Sequence, residues 1–168
     1  MGAVYWFTGL SGAGKTTLGE SFFKELKKQG AHVIFLDGDA IRDILGNPWG
    51  HSIEDRKKYA RSYGKLCQFF SNQGVDVVCA TISMFHEIRH WNRNNIARYQ
   101  EIYVKVPLDI LKQRDSKGIY SKAREGEINQ VMGMDLEFEE PLTPDCVIVN
   151  DGTRSIDDIT HSLIESLG

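Results

Sequence analysis

The sequence has no apolar run of about 18 residues, the length a membrane-crossing helix needs, so no membrane span is expected. No basic segment precedes a long apolar stretch at the N-terminus, which predicts no signal peptide and a cytoplasmic protein. Cysteine is scarce. Cys67, Cys79 and Cys146 lie far apart in apolar surroundings, with neither metal-ligand spacing nor the arithmetic of a disulfide framework. They read as buried free thiols in a reducing compartment. Positive charge is not in excess: 20 Lys and Arg face 23 Asp and Glu, so a net charge of -3 offers no basic face to a nucleic-acid polymer. There is no repeat, linker or low-complexity stretch. The 168 residues therefore read as one domain, 1–168, large enough for a real core.

What is present is an alternation of strand-like and helix-like segments. Val4-Tyr5-Trp6-Phe7 reads as a buried strand, and Leu18 to Lys28 as an amphipathic helix stopped at Gln29-Gly30. His32 to Leu36 is a second strand, ending in the turn signal Asp37-Gly38-Asp39. Ser52 to Asn72 carries helical spacing at Tyr59, Tyr63, Leu66 and Phe70, with Ser52 and Asp55 placed as a capping box. Val75 to Ile82 is a nearly uniform apolar strand, as suits a parallel strand covered on both faces. A helix from about Phe85 to Ala97, strands Gln100–Val106 and Val147–Val149, and a last amphipathic helix Ile156–Leu167 complete the pattern. Repeated β–α units predict an α/β fold, a five-stranded parallel sheet with helices on both faces. Ligands of such sheets bind beyond the carboxyl ends of the strands.

The residues after each strand are therefore the informative ones. After the first comes Gly9-Leu10-Ser11-Gly12-Ala13-Gly14-Lys15-Thr16-Thr17, with the spacing Gly-x-x-x-x-Gly-Lys-Thr. Glycines let the backbone turn its N–H groups inward as a phosphate cradle at a helix start. Lys15 can reach the outer phosphates of a nucleoside triphosphate, and the Thr16 hydroxyl can sit on magnesium. After the second strand, Asp37 and Asp39 can hold metal-bound water or accept a proton from an attacking hydroxyl. A plain helix-capping turn at Asp39 is the alternative. Beyond the third strand, Arg89 and Arg93 lie four apart, so a helix puts them on one face, either for a phosphate-bearing substrate or simply in solvent. After the fourth, the segment from Arg114 is dense in cations and could close as a lid over about 114–133.

Taken together, FTGLSGAGKTTLG, FLDGDAIR, SIEDR, ATIS and RDSKGIYSKAREGEI resemble the adenylylsulfate kinase family, in order, from Tyr5 to Pro144. The resemblance implies a three-layer P-loop nucleoside/nucleotide kinase fold. It also implies an ATP- and Mg2+-dependent enzyme that phosphorylates the 3′-hydroxyl of a nucleotide with a modified 5′ group, and family members are often homodimers. Gly9, Ser11, Gly12, Ala13, Gly14, Lys15, Thr16 and Thr17 would hold the ATP phosphates, with Arg114 against the ATP adenine. Thr16 and Asp37 would serve the metal, and Lys15, Asp37 and Asp39 the chemistry; the resemblance does not divide metal water and proton between the two aspartates. Arg42, Arg56, Ser83 and Lys117 match substrate-binding positions.

The departures cluster where the family grips the acceptor's adenine. His51 stands for one phenylalanine, Val131 for the other, and Tyr59 for an asparagine at the base edge; Met84 replaces a proline beside the 5′ group. The phosphate-handling letters survive while the base-handling ones change. A changed acceptor explains this better than decay, and the cytidine diphosphoramidate kinases of capsule assembly, relatives within this group, fit it. Adenosine 5′-phosphosulfate remains the alternative acceptor. More distant are a small-metabolite kinase of the shikimate or gluconate sort and a nucleotide-binding regulator without catalysis.

Overall fold

The structure, a computed structural model, describes residues 1–115 and 117–167. Among these, five strands form one parallel sheet: β1 (Val4–Thr8), β2 (Val33–Asp37), β3 (Asp76–Ala80), β4 (Tyr99–Lys105) and β5 (Cys146–Val149), in the order β2-β3-β1-β4-β5. The helices are α1 (Lys15–Lys28), α2 (Gly38–Ile44), α3 (Ile53–Asn72), α4 (His86–Asn95), α5 (Leu108–Arg114), α6 (Ile119–Arg124) and α7 (Ile156–Leu167).

β1 lies at the centre of the sheet and all five of its residues are buried, as the unbroken run VYWFT requires. Its side chains alternate between two cores. Tyr5 and Phe7 pack on Phe22 of α1, with ring centroids 4.9 and 5.8 Å apart. Trp6 points the other way, 6.5 Å from the Tyr99 ring. α1 and α7 pack together, as do α3 and α4, so helices cover both faces. The chain leaves β1 toward β2 on one side, and β4 pairs on the other. The order reverses at β1, and a crevice opens beyond its carboxyl end.

Boundaries shift where the site begins. α1 starts at Lys15 rather than Leu18, because its first turn is the end of the phosphate loop. β3 spans only Asp76–Ala80; Thr81, Ile82 and Ser83 leave the sheet to line the crevice. Three helices, α2, α5 and α6, stand where the sequence suggests turns and a charged loop. Each has six or seven residues, too few to show a helical period. Ser52 does cap α3, accepting from Asp55 N. Cys67 and Cys79 are buried as expected, whereas Cys146, at the start of the edge strand, is only half-buried.

Candidate active site

The phosphate loop is held from below. A Cβ on Gly9 would meet Val104 O of β4 at 2.4 Å, and one on Gly14, at φ 93°, would meet the Asn150 amide at 2.6 Å. Both positions need glycine because neighbouring strands crowd the loop. Asn150, just past β5, donates to Ala13 O at 2.8 Å. Lys15 is buried and folds back to donate to Leu10 O at 2.8 Å. Burial first, then the charge of Lys117, push its ammonium down to about 8, against the pull of Asp39 and Asp37.

Asp37 caps α2. Its Oδ1 accepts from the amides of Asp39 and Ala40 at 3.0 and 3.1 Å, while Oδ2 accepts from the Thr16 hydroxyl at 2.7 Å. The capping role weighed for Asp39 thus falls to Asp37. The Thr16–Asp37 oxygen pair suits magnesium, which takes one or two protein oxygens and completes its shell with phosphate and water. Asp39 faces the other way. Its Oδ2 accepts from Lys117 Nζ at 2.6 Å, across from α2 to the segment before α6. Burial alone would raise its carboxyl; the Lys117 hydrogen bond and charge, helped by Lys15 and Arg42, hold it below the ordinary value. Tyr120 of α6 also reaches the phosphate loop, donating to Ser11 O at 2.7 Å.

These groups surround a cavity of about 350 Å³ at the crevice. Of the residues anticipated from sequence, Ser11, Gly12, Gly14, Lys15, Thr16, Thr17, Asp37, Asp39, Arg42, Arg56, Tyr59, Ser83 and Lys117 line it. Gly9 and Ala13 are buried beneath the loop. Arg114 lies outside the cavity, donating to Asn150 O at 2.9 Å. His51 stands behind Arg42, its ring nitrogens 3.3 and 3.4 Å from the guanidinium. Met84 and Val131 are not brought to the wall. Met84 is fully buried against the Thr8 hydroxyl, and Val131 is buried too. Their chain neighbours Phe85 and Met132 line the cavity instead, together with Tyr63 and Ile82. Neither Phe85 nor Met132 carries a polar signal in sequence, and in irregular backbone nothing periodic says which of two adjacent residues turns inward.

The Arg89 and Arg93 pair is corrected most sharply. Arg89 is buried and ion-paired with the equally buried Glu101 at 3.6 Å. It also donates to Ser83 O at 3.2 Å and Glu139 O at 2.7 Å. Arg93 pairs with Asp145 at 2.9 Å. Neither lines the cavity; Arg89 braces the turn that carries Ser83. That turn is strained, with Ser83 at φ 29°, and its buried hydroxyl has no hydrogen-bond partner among the described residues.

The family described as adenylylsulphate kinase matches residues 1–149. The chain belongs to that family. It is accordingly an ATP-dependent phosphotransferase, a kinase. Among adenylylsulphate kinase relatives, the cytidine diphosphoramidate kinase of Campylobacter jejuni is 39% identical over 98% of this chain and 95% of its own length. The probable adenylyl-sulfate kinase of Bacillus subtilis is 42% identical over 97% of this chain and 83% of its own. The Mycobacterium tuberculosis APS kinase CysC in complex with AMPPNP and APS superposes with a TM-score of 0.92 at 33% identity, covering 99% of this chain and 97% of that one. Shikimate kinase from Aquifex aeolicus, at 13% identity and TM-score 0.57, shares the fold. Among the described residues no helix is long and apolar enough to cross a membrane.

Proposed function

We propose that this kinase moves the γ-phosphoryl group of ATP to the 3′-hydroxyl of cytidine diphosphoramidate, a step in decorating capsular polysaccharide with phosphoramidate. The observation that carries the choice of acceptor is the wall between α2 and α3. There Arg42 lies over the Tyr59 ring at 4.7 Å, and the Tyr59 hydroxyl is engaged by the Trp49 backbone. An aromatic side chain and a guanidinium fill a stretch of wall, and a one-ring base asks for less of it than a two-ring base. The Campylobacter relative, matched end to end, supports the same reading. Adenosine 5′-phosphosulfate is the competing acceptor, favoured by the several adenylyl-sulfate kinases of similar identity.

In this mechanism Lys15 leaves Leu10 O to hold the β- and γ-phosphate oxygens. Thr16 and Asp37 would hold magnesium, which when bound neutralises charge on those oxygens. Asp39 accepts the proton of the 3′-hydroxyl as its oxygen bonds to the γ-phosphorus and the bond to the β–γ bridging oxygen breaks, releasing ADP. Lys117, now paired with Asp39, turns to the anionic groups of the acceptor alongside Arg42 and Arg56. Such catalysis is mostly positioning and charge stabilisation. Arg114 serves the ATP adenine from its place beside Asn150. A cytoplasmic homodimer is part of the same proposal, and sedimentation of the purified protein checks the dimer.

A coupled ADP-release assay with both acceptors tests the reading. The cytidine compound is expected to be preferred by about 10- to 200-fold in kcat/KM, the range a modest pocket mismatch gives. Turnover of adenosine 5′-phosphosulfate with none of the cytidine compound would make the protein an adenylyl-sulfate kinase with an unusual pocket.

A further inference from the structure

Tyr59 lies in the interior yet forms part of the cavity wall. A buried phenol needs hydrogen-bond partners. Here one residue supplies both: the hydroxyl donates to Trp49 O at 2.8 Å and accepts from Trp49 N at 3.0 Å. The Trp49 ring stands edge-on to the Tyr59 ring at 4.8 Å. Trp49 sits in the irregular stretch 45–52 between α2 and α3, so this clamp ties that stretch to α3. The stretch in turn holds Arg42, whose guanidinium donates to Asn47 Oδ1 at 2.9 Å and Gly50 O at 3.3 Å and touches His51. The Tyr59 ring supplies the face on which that guanidinium rests. Arg56, on the same helix, donates to His51 O at 2.9 Å.

We infer that Tyr59 is a positioning residue for the acceptor: its hydroxyl, committed to the Trp49 backbone, fixes the 45–52 stretch and so aims Arg42 into the cavity, and it makes no hydrogen bond to the acceptor itself. This rests on the reading that the acceptor nucleotide occupies the Arg42 side of the cavity. The sequence pattern alone places Tyr59 as a base contact; the geometry gives it a different task.

Tyr59→Phe separates the two. It keeps the ring, its packing and its face for Arg42, and removes only the two hydrogen bonds to Trp49. His51 reports on the stretch without any ligand. Its imidazole is held below the ordinary value by burial and by the charges of Arg42 and Arg56, with Asp55 opposing. Loosening the stretch should let it rise. The experiment has two arms: NMR titration of His51 in the free wild-type and variant proteins, and steady-state kinetics with whichever of cytidine diphosphoramidate and adenosine 5′-phosphosulfate the wild type turns over. The expected result is an upward move of the His51 titration together with a rise of about tenfold in acceptor KM, the size of two modest hydrogen bonds, at unchanged ATP KM. A raised acceptor KM with His51 unmoved would show direct contact and overturn the proposal. So would an equal rise in both KM values, or no change in either arm. If the wild type turns over neither acceptor, the proposed function fails, and the His51 arm still decides whether Tyr59 fixes the stretch.

Discussion

The two halves of the cavity are built differently. On the donor side, the phosphate loop, Lys15 and Thr16 come from one continuous run, Gly9 to Thr17, that leads from the end of β1 into the first turn of α1. They are positioned by backbone crowding at Gly9 and Gly14, which tolerates no side chain. On the acceptor side, Arg42, Arg56, Tyr59, Ser83, Phe85 and Met132 come from four separate stretches of chain. They are positioned by side chains that grip backbone outside their own helix, as Tyr59 does at Trp49 and Arg89 at Ser83. A local device of this kind recurs intact across phosphate-binding enzymes. A wall assembled from scattered side chains can change what it accepts one residue at a time, without disturbing the loop.

The contrast can be broken hardest at Lys15. Lys15→Ala should reduce phosphoryl transfer by about 100- to 1,000-fold or more, because charge on the outer phosphates loses its counterion, while the thermal midpoint stays near wild type. Turnover within a few fold of wild type would remove Lys15 from the mechanism. The two aspartates sharpen the division next. Asp39→Asn should lower kcat by about 100-fold with ATP affinity unchanged. Asp37→Asn should instead raise the magnesium concentration needed for activity, since asparagine still caps α2 but no longer offers a charge to the metal. Identical kinetic profiles for both variants would mean that the two carboxylates do not divide the work.

A smaller effect is expected from pH. With Lys15 at about 8 in the free enzyme, roughly half the molecules lack that charge at pH 8. Bound phosphates favour the ammonium, so ATP binding should take up about half a proton at pH 8 and almost none at pH 6. Calorimetry in two buffers of different ionisation enthalpy measures this directly. ATP affinity should fall above pH 8. Stability without ligand should move the opposite way. The unfolded lysine, at 10.5, binds more proton than the folded one, so this group's contribution to stability rises between about pH 8 and 10.5. A proton uptake that persists in Lys15→Ala would assign it elsewhere. The smallest effect belongs to Arg93→Ala, which removes a partly exposed pair with Asp145 and a 3.7 Å contact with Glu101, a carboxylate that keeps its buried partner Arg89. After screening by solvent it should cost about 1 kcal/mol or less in denaturant unfolding and leave both KM values alone. A large change in acceptor KM would return Arg93 to the site.

What could be read from sequence follows the same division. β1, the phosphate loop and the long α3 are legible because a contiguous motif or a sustained period announces them. α2, α5 and α6 are not, since six or seven residues give no period. Arg89 illustrates the deeper limit. Its spacing from Arg93 places both on one helical face, but only the fold reveals that Glu101 waits beneath that face, where Arg89 is buried against it while Arg93 stays partly exposed. Met84 and Val131 miss the cavity by a single position each, where Phe85 and Met132 take the wall.

Arg89 also bears on how the chain assembles. Its guanidinium joins α4, the turn at Ser83, Glu101 of β4 and the backbone of Glu139, so its last partner lies 50 residues downstream. During synthesis the sheet from β1 to β3 can close while this cation still lacks Glu101 and the Glu139 carbonyl. Closure cost grows only slowly with loop length, so what delays this brace on a growing chain is the order of synthesis. On a growing chain the brace beneath Ser83 thus cannot be complete until Glu139 has been made, just past the 114–133 segment.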